Sequence, residues 1–156
     1  MPGDDRWILC SCLGERFAVH LRWAQEIIYR PQLLPLPGLE PPLDGVLIWQ
    51  GSTLPVIGLR LLAGSDQAAP RPAAVVVGAG EQRAALLADD IGDTVSLPPG
   101  DLFALSPVLT SGRPYLTQGA MLAGSLLFLI DVPALLQQLR EQAGQALAQA
   151  QPAAAQ

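Results

Sequence analysis

The sequence predicts an all-β protein built as two small barrels, with short helices and one C-terminal helix. Half of the residues are apolar and only 15% are charged, while 15 glycines and 15 prolines break the apolar material into short pieces. Such a composition describes many short strands joined by turns. The short runs also fall into two similar groups, on either side of a polar, proline-bearing stretch at 65–72. At 156 residues the chain is about one domain long, enough to bury a core without disulfides or metal.

Each element follows from its local pattern. Trp7 to Leu13 and Arg16 to Leu21 are extended apolar runs flanking Gly14-Glu15, a Gly-X pair suited to a tight hairpin. Arg22 to Ile28 carries Trp23, Ile27 and Ile28 at roughly helical spacing, so one helical turn leading into a strand is expected. Pro31 to Pro42 holds five prolines and is expected to form no regular element. Gly45 to Gln50 and Thr53 to Ile57 make a second hairpin around Gly51-Ser52, and Gly58 to Ala63 is a short leucine-rich piece stopped by Gly64. Strands follow near Ala73 to Val77, Arg83 to Ala88, Thr94 to Leu97, Tyr115 to Leu122 and Ser125 to Ile130. After Asp131, a candidate cap, Pro133 stands at a first helical position. Leu135, Leu136, Leu139, Ala143 and Leu147 then mark an amphipathic helix. From Gln149 onward only Ala, Gln and one Pro occur, which is expected to be frayed.

Composition also excludes partners. The net charge is −5, lysine is absent and nine arginines are scattered without a cluster, which argues against nucleic acid. The start, MPGDDRW, carries acids where a signal peptide needs basic residues, so a cytoplasmic protein is expected. The longest apolar stretch, Ala120 to Leu136, is interrupted by Asp131 and Pro133 and is no membrane span.

Five pieces stand in order along the chain: Leu13-Gly14-Glu15 before Phe17-Ala18-Val19; Glu26-Ile27-Ile28; Gly45 to Gly64; Ala88-Asp89-Asp90-Ile91; and Leu127 to Leu136. In order and spacing they resemble the CheW family over most of residues 7 to 137. The resemblance implies two five-stranded SH3-like barrels with a hydrophobic groove between them. It also implies a non-catalytic adaptor that couples chemoreceptor cytoplasmic tips to a CheA-type histidine kinase. The domain is therefore expected at 7–137, its halves meeting near 65–72, with a tail at 1–6 and a helix end and Ala/Gln-rich tail at 138–156. Gly14, Gly45, Gly51, Pro55, Arg60 and Gly64 keep the family's turn and signature pattern. The departures are Ile48 where the family has Asn, Gln50 where it has Arg, and Gly58 where it has Asp.

Strand parity says what those departures do. With Gly51-Ser52 as a two-residue turn, Gln50 pairs with Thr53. Leu47, Trp49, Leu54 and Val56 then share an apolar face expected in the core. Val46, Ile48, Gln50, Thr53, Pro55 and Ile57 share the other face, which is expected to dock a partner through apolar contact and neutral hydrogen bonds.

The remaining chemistry-bearing residues have simpler readings. Cys10 and Cys12 are expected on the face opposite His20, so no metal site forms, and buried free thiols are the simpler account. Gly78 and Gly80 begin a G-x-G-x-x-G pattern after a strand, which supports a rival nucleotide-binding enzyme, but Arg83 replaces the third glycine. Asp89, Asp90 and Asp93 read as solvated turn acids, with Asp89 also a structural candidate, and no nucleophile motif surrounds Ser106, Ser111 or Ser125. No catalytic residue, metal or cofactor is expected. A further alternative is an SH3-like peptide-binding module in another pathway, such as pilus motility.

Overall fold

The computed structural model describes residues 5–62, 64, 72–110 and 113–142. The twelve strands are β1 (Arg6–Cys12), β2 (Glu15–His20), β3 (Ala24–Tyr29), β4 (Leu33–Leu34), β5 (Leu43–Trp49), β6 (Ser52–Gly58), β7 (Ala73–Ala79), β8 (Gln82–Ala88), β9 (Asp90–Ser96), β10 (Phe103–Ala104), β11 (Gln118–Leu122) and β12 (Ser125–Ile130). A 3-10 turn at Leu21–Trp23 supplies the helical turn expected before β3. Helix α1 is Leu59–Leu62, and α2 runs over 132–142. The proline-rich segment yields one two-residue strand, β4, where none was expected. The frayed tail expected from Gln149, together with Ala143 and Leu147, lies outside the described residues.

Two six-stranded sheets result, ordered β10-β11-β12-β2-β1-β9 and β4-β5-β6-β8-β7-β3. Each is five long strands plus a two-residue edge strand, so the two expected five-stranded barrels are present with a small addition. The chain is not divided at 65–72, because the first hairpin, β1 and β2, joins the late strands in one barrel while β3 to β8 make the other. Two parallel pairs cause this interleaving: β12 lies beside β2, and β6 beside β8. Nor does the folded unit end at 137, since Leu139 is buried and Arg140 Nε donates to the Gln82 amide oxygen at 2.7 Å.

The barrels are structural equivalents. The β5–β6 hairpin turns at Gly51 and the β11–β12 hairpin at Gly124; five residues on stand Val56 and Leu129, both interior. Across the parallel ladders they face Ala85 and Ala18, again both buried. Leu54 and Leu127 correspond in the same way, as do Leu47 and Ala120, Gly58 and Asp131, and the helices α1 and α2.

Three apolar clusters follow from strand alternation. Trp7, Ala18, Leu97, Ala120, Leu127 and Leu129 fill the first barrel. Leu47, Val56, Ala74 and Ala85 fill the second. The largest cluster lies between them, where outward residues of β1 and β2, among them Cys10 and Phe17, meet outward residues of β7 and β8, among them Val75 and Leu86. Leu135, Leu136 and Leu139 of α2 close it.

The turns correct two expected registers. Cys12 pairs with Glu15 and Trp49 with Ser52, so the turn residues are Leu13-Gly14 and Gln50-Gly51. All four have positive φ, as do Ala123 and Gly124 in the third such hairpin. A right-twisted hairpin with a two-residue loop favours a turn with both central residues left-handed, and this places the glycine second rather than first. Pairing moves by two positions from the expected Leu13–Arg16 and Gln50–Thr53, so every side chain keeps its predicted face. Left-handed geometry at a residue with a Cβ costs roughly 1–2 kcal/mol, and Asn tolerates it better than Ala. Ala123→Asn therefore raises stability by about 0.5–1 kcal/mol, read as a higher urea midpoint with an unchanged m-value.

Candidate partner-docking face

The outward face of β4, β5 and β6 collects the proposed contact residues. Leu34 pairs with Val46 and Val46 with Pro55 in one row, and Ile48 pairs with Thr53 in the next. Ile48 is 52% exposed and Thr53 is exposed, while Val46 and Pro55 are half-buried. Leu34, from the segment expected to be irregular, extends the apolar strip. Sequence reasoning missed it because a two-residue strand carries no period.

Two of the expected contact residues are placed differently. Ile57 is fully buried in the cluster between the barrels. It lies on the expected outward face, but at the end of β6 that face is covered by the other barrel. Gln50 sits in the turn at φ 49° and not in the strand, so it projects at the hairpin tip. Pro55 fits within β6 because the parallel ladder to β8 begins only at Val56.

The signature residues serve this geometry. Gly45 is a register irregularity at φ 138°, where a Cβ would stand 2.9 Å from the Leu34 carbonyl oxygen, so it lets β4 approach. Gly14, Gly51 and Gly64 all have positive φ. Arg60 forms a two-pronged pair with Asp44, Nε to Oδ2 at 2.9 Å and Nη2 to Oδ1 at 2.8 Å. A Cβ on Gly58 would stand 2.3 Å from Asp44 Oδ2, so the carboxylate occupies the space a side chain at 58 would need. Asp44 belongs to no recognisable motif in the sequence.

At the tip, the mouth of the second barrel is a hollow of about 520 Å³ lined by Trp49, Gln50, Ser52, Thr53, Leu54, Glu81 and Arg83. Trp49 Nε1 donates to Glu26 Oε1, and Arg83 Nε to Gln25 Oε1, each at 3.0 Å. The glycine-rich segment enters here. β7 and β8 pair antiparallel up to Ala79–Gln82, so Gly80-Glu81 is a hairpin turn and no helix follows to receive a phosphate. This removes the basis of the nucleotide reading.

A smaller hollow of about 170 Å³, lined by Cys12, Leu33, Asp44, Arg60, Pro72, Leu87, Ala88 and Asp89, lies at the junction of the barrels, where the resemblance implies a groove. Asp89 is structural there, because its Oδ2 accepts from Leu13 N–H at 2.9 Å and fixes the β1–β2 turn. Cys10 and Cys12 face the shared core, whereas His20 pairs with Trp7 on the opposite face, edge-on at 5.0 Å between ring centroids. Burial, aided by the neighbouring Cys12, pushes the Cys10 thiol up to about 12. Burial and then the Asp89 carboxylate push Cys12 up to about 11. Both thiols therefore stay protonated and poorly nucleophilic near neutrality. A raised acid pKa favours the protonated native state. Its contribution is complete below the unfolded thiol value and is lost as pH rises from about 9 toward 11–12. Stability measured by urea unfolding falls across that alkaline window, and a Cys10→Ala/Cys12→Ala variant shows a shallower fall.

Comparison with known proteins gives a consistent result. A family model described as CheW-like domain matches residues 6–140. Among solved structures, the scaffolding protein TtCheW from Thermoanaerobacter tengcongensis superposes with a TM-score of 0.72 at 16% identity, covering 82% of this chain and 89% of that one. No curated protein matches. No helix among the described residues is long and apolar enough to cross a membrane.

Proposed function

We propose that this chain, which belongs to the CheW-like domain family, is a non-catalytic cytoplasmic adaptor that couples chemoreceptor tips to a CheA-type histidine kinase. The observation that carries the reading is the exposed row of Ile48 and Thr53 beside Val46, Pro55 and Leu34 on the outward face of β4, β5 and β6. Exposed aliphatic residues grouped on rigid strands suit a protein interface better than a reaction. The contact is made by Val46, Ile48, Thr53 and Pro55, with Gln50 reaching from the turn, while Ile57 lies on the same face but outside the contact, under the other barrel.

Ile48→Asp tests this directly, because a charge at an exposed site leaves the fold intact but opposes an apolar contact. The variant is expected to keep the melting temperature of the parent and to lose at least about tenfold in affinity for the CheA-type kinase of the same organism, measured by calorimetry. Unchanged affinity in a folded variant would overturn the assignment of this face.

A further inference from the structure

We propose that the mouth of the second barrel seats a single carboxylate side chain of a protein partner, with Arg83 as its cation. This rests on the adaptor reading and specifies its chemistry. The argument begins with the equivalence of the barrels. Ala85 and Ala18 occupy corresponding positions across the parallel ladders, so Arg83 and Arg16, two residues earlier, correspond as well. In the first barrel, Arg16 Nη2 donates to the carbonyl of Leu122, the residue before the Ala123-Gly124 turn, and so ties that mouth shut. The matching acceptor in the second barrel is the carbonyl of Trp49. Arg83 does not use it.

Instead Gln25 holds Arg83 from behind. Its Oε1 takes the Nε proton, and among the described residues this is the one hydrogen bond of the Arg83 side chain. Gly78 makes that arrangement possible, because a Cβ there would stand 2.6 Å from Gln25 Nε2. The two Nη groups are thereby left for an outside acceptor, with the guanidinium fixed at its neck. A fork of this kind matches a carboxylate. The same hollow is lined by Gln50 and Thr53, so it is continuous with the Ile48 row. Arg83 thus restores, from a different strand, the cation that the family's Arg would place at position 50.

The surrounding charges set the size of the occupant. Glu81 lies on the rim, and Glu26 accepts from Trp49 behind it. An acid on the rim beside the guanidinium, and a second one behind Trp49, disfavour a phosphate or a polyanionic segment, and they admit one Asp or Glu flanked by apolar or neutral residues.

The full chain is titrated with acetyl-Ser-Glu-Leu-amide and with its Gln counterpart, following the Arg83 Nε–H and Trp49 Nε1–H resonances. The Glu peptide is expected to move both, the Gln peptide several-fold less, and Arg83→Gln to abolish the difference while Arg83→Lys keeps part of it. Equal responses to the two peptides, no response to either, or a larger response to inorganic phosphate would overturn the proposal. In parallel, Arg83→Gln is expected to weaken binding of the CheA-type kinase about tenfold and to flatten its salt dependence. Kinase binding that ignores Arg83 but is lost in Ile48→Asp overturns the carboxylate site and leaves the adaptor reading standing. A kinase that binds no form of the chain overturns the adaptor reading, and the peptide titration still decides the chemistry of the hollow.

Discussion

Ile57→Ala lowers the unfolding free energy by about 2–5 kcal/mol, whereas Ile48→Ala changes it by no more than about 0.5 kcal/mol. Both residues belong to the outward face of the second barrel, and alternation alone gives them the same environment. They differ in what lies over them. Near the hairpin tip the face is open, and Ile48 is 52% exposed. At the base it meets the other barrel, where Ile57 is sealed in a cluster with Leu59, Leu86 and Val75. Truncating Ile57 leaves a void that two rigid sheets cannot collapse onto, so the cavity cost adds to the lost burial. Urea unfolding of the two variants decides the matter, and equal effects would mean that the barrels do not pack through this surface.

Asp44→Ala is expected to cost about 2–3 kcal/mol, because it removes the two-pronged carboxylate partner of a partly buried guanidinium. The side chains of Arg60 and Asp44 are only 19% and 14% exposed, so water replaces the lost carboxylate poorly. The equivalent site in the other barrel shows why the acid matters. There Asp131 caps α2 directly, accepting from Ala134 N–H at 3.1 Å. At the corresponding Gly58 there is no side chain, and Asp44 reaches across from β5 to the same place. Gly58→Asp alone brings two carboxylates into one space and destabilises, while combining it with Asp44→Ala recovers most of the loss. A double-mutant cycle by thermal unfolding measures this, and additive losses in the pair would refute the exchange.

Much of the fold was legible in the residues. Turn glycines and short apolar runs located ten strands, and the period of two placed Leu47, Leu54 and Val56 inside and Ile48 outside. The positions of the first two turns were not legible, since Leu13 and Gln50 adopt left-handed backbone without belonging to the residue types that favour it, whereas the Ala123-Gly124 turn falls between the expected strand ends at Leu122 and Ser125. The error was harmless because a two-position shift preserves parity. Interleaving left no local trace. Parallel pairing of β2 with β12 joins residues more than a hundred positions apart, and neither strand differs in composition from one paired nearby. The docking face was half legible for the same reason: alternation assigns sides, and only the packing of the barrels decides which stretch of a side stays open. The pairing roles of Asp44 and Arg83 were not legible because they depend on space that a glycine on a paired strand leaves vacant, at Gly58 and at Gly78.

The interleaved strand order also fixes a sequence of events during synthesis. Every strand of the second barrel, β3 to β8, has been made once Ala88 has left the ribosome, whereas the first barrel lacks its parallel partner until β12 has emerged at Ile130. The chain thus offers the second barrel complete before the first, and the β1–β2 hairpin, although translated earliest, gains its parallel neighbour last.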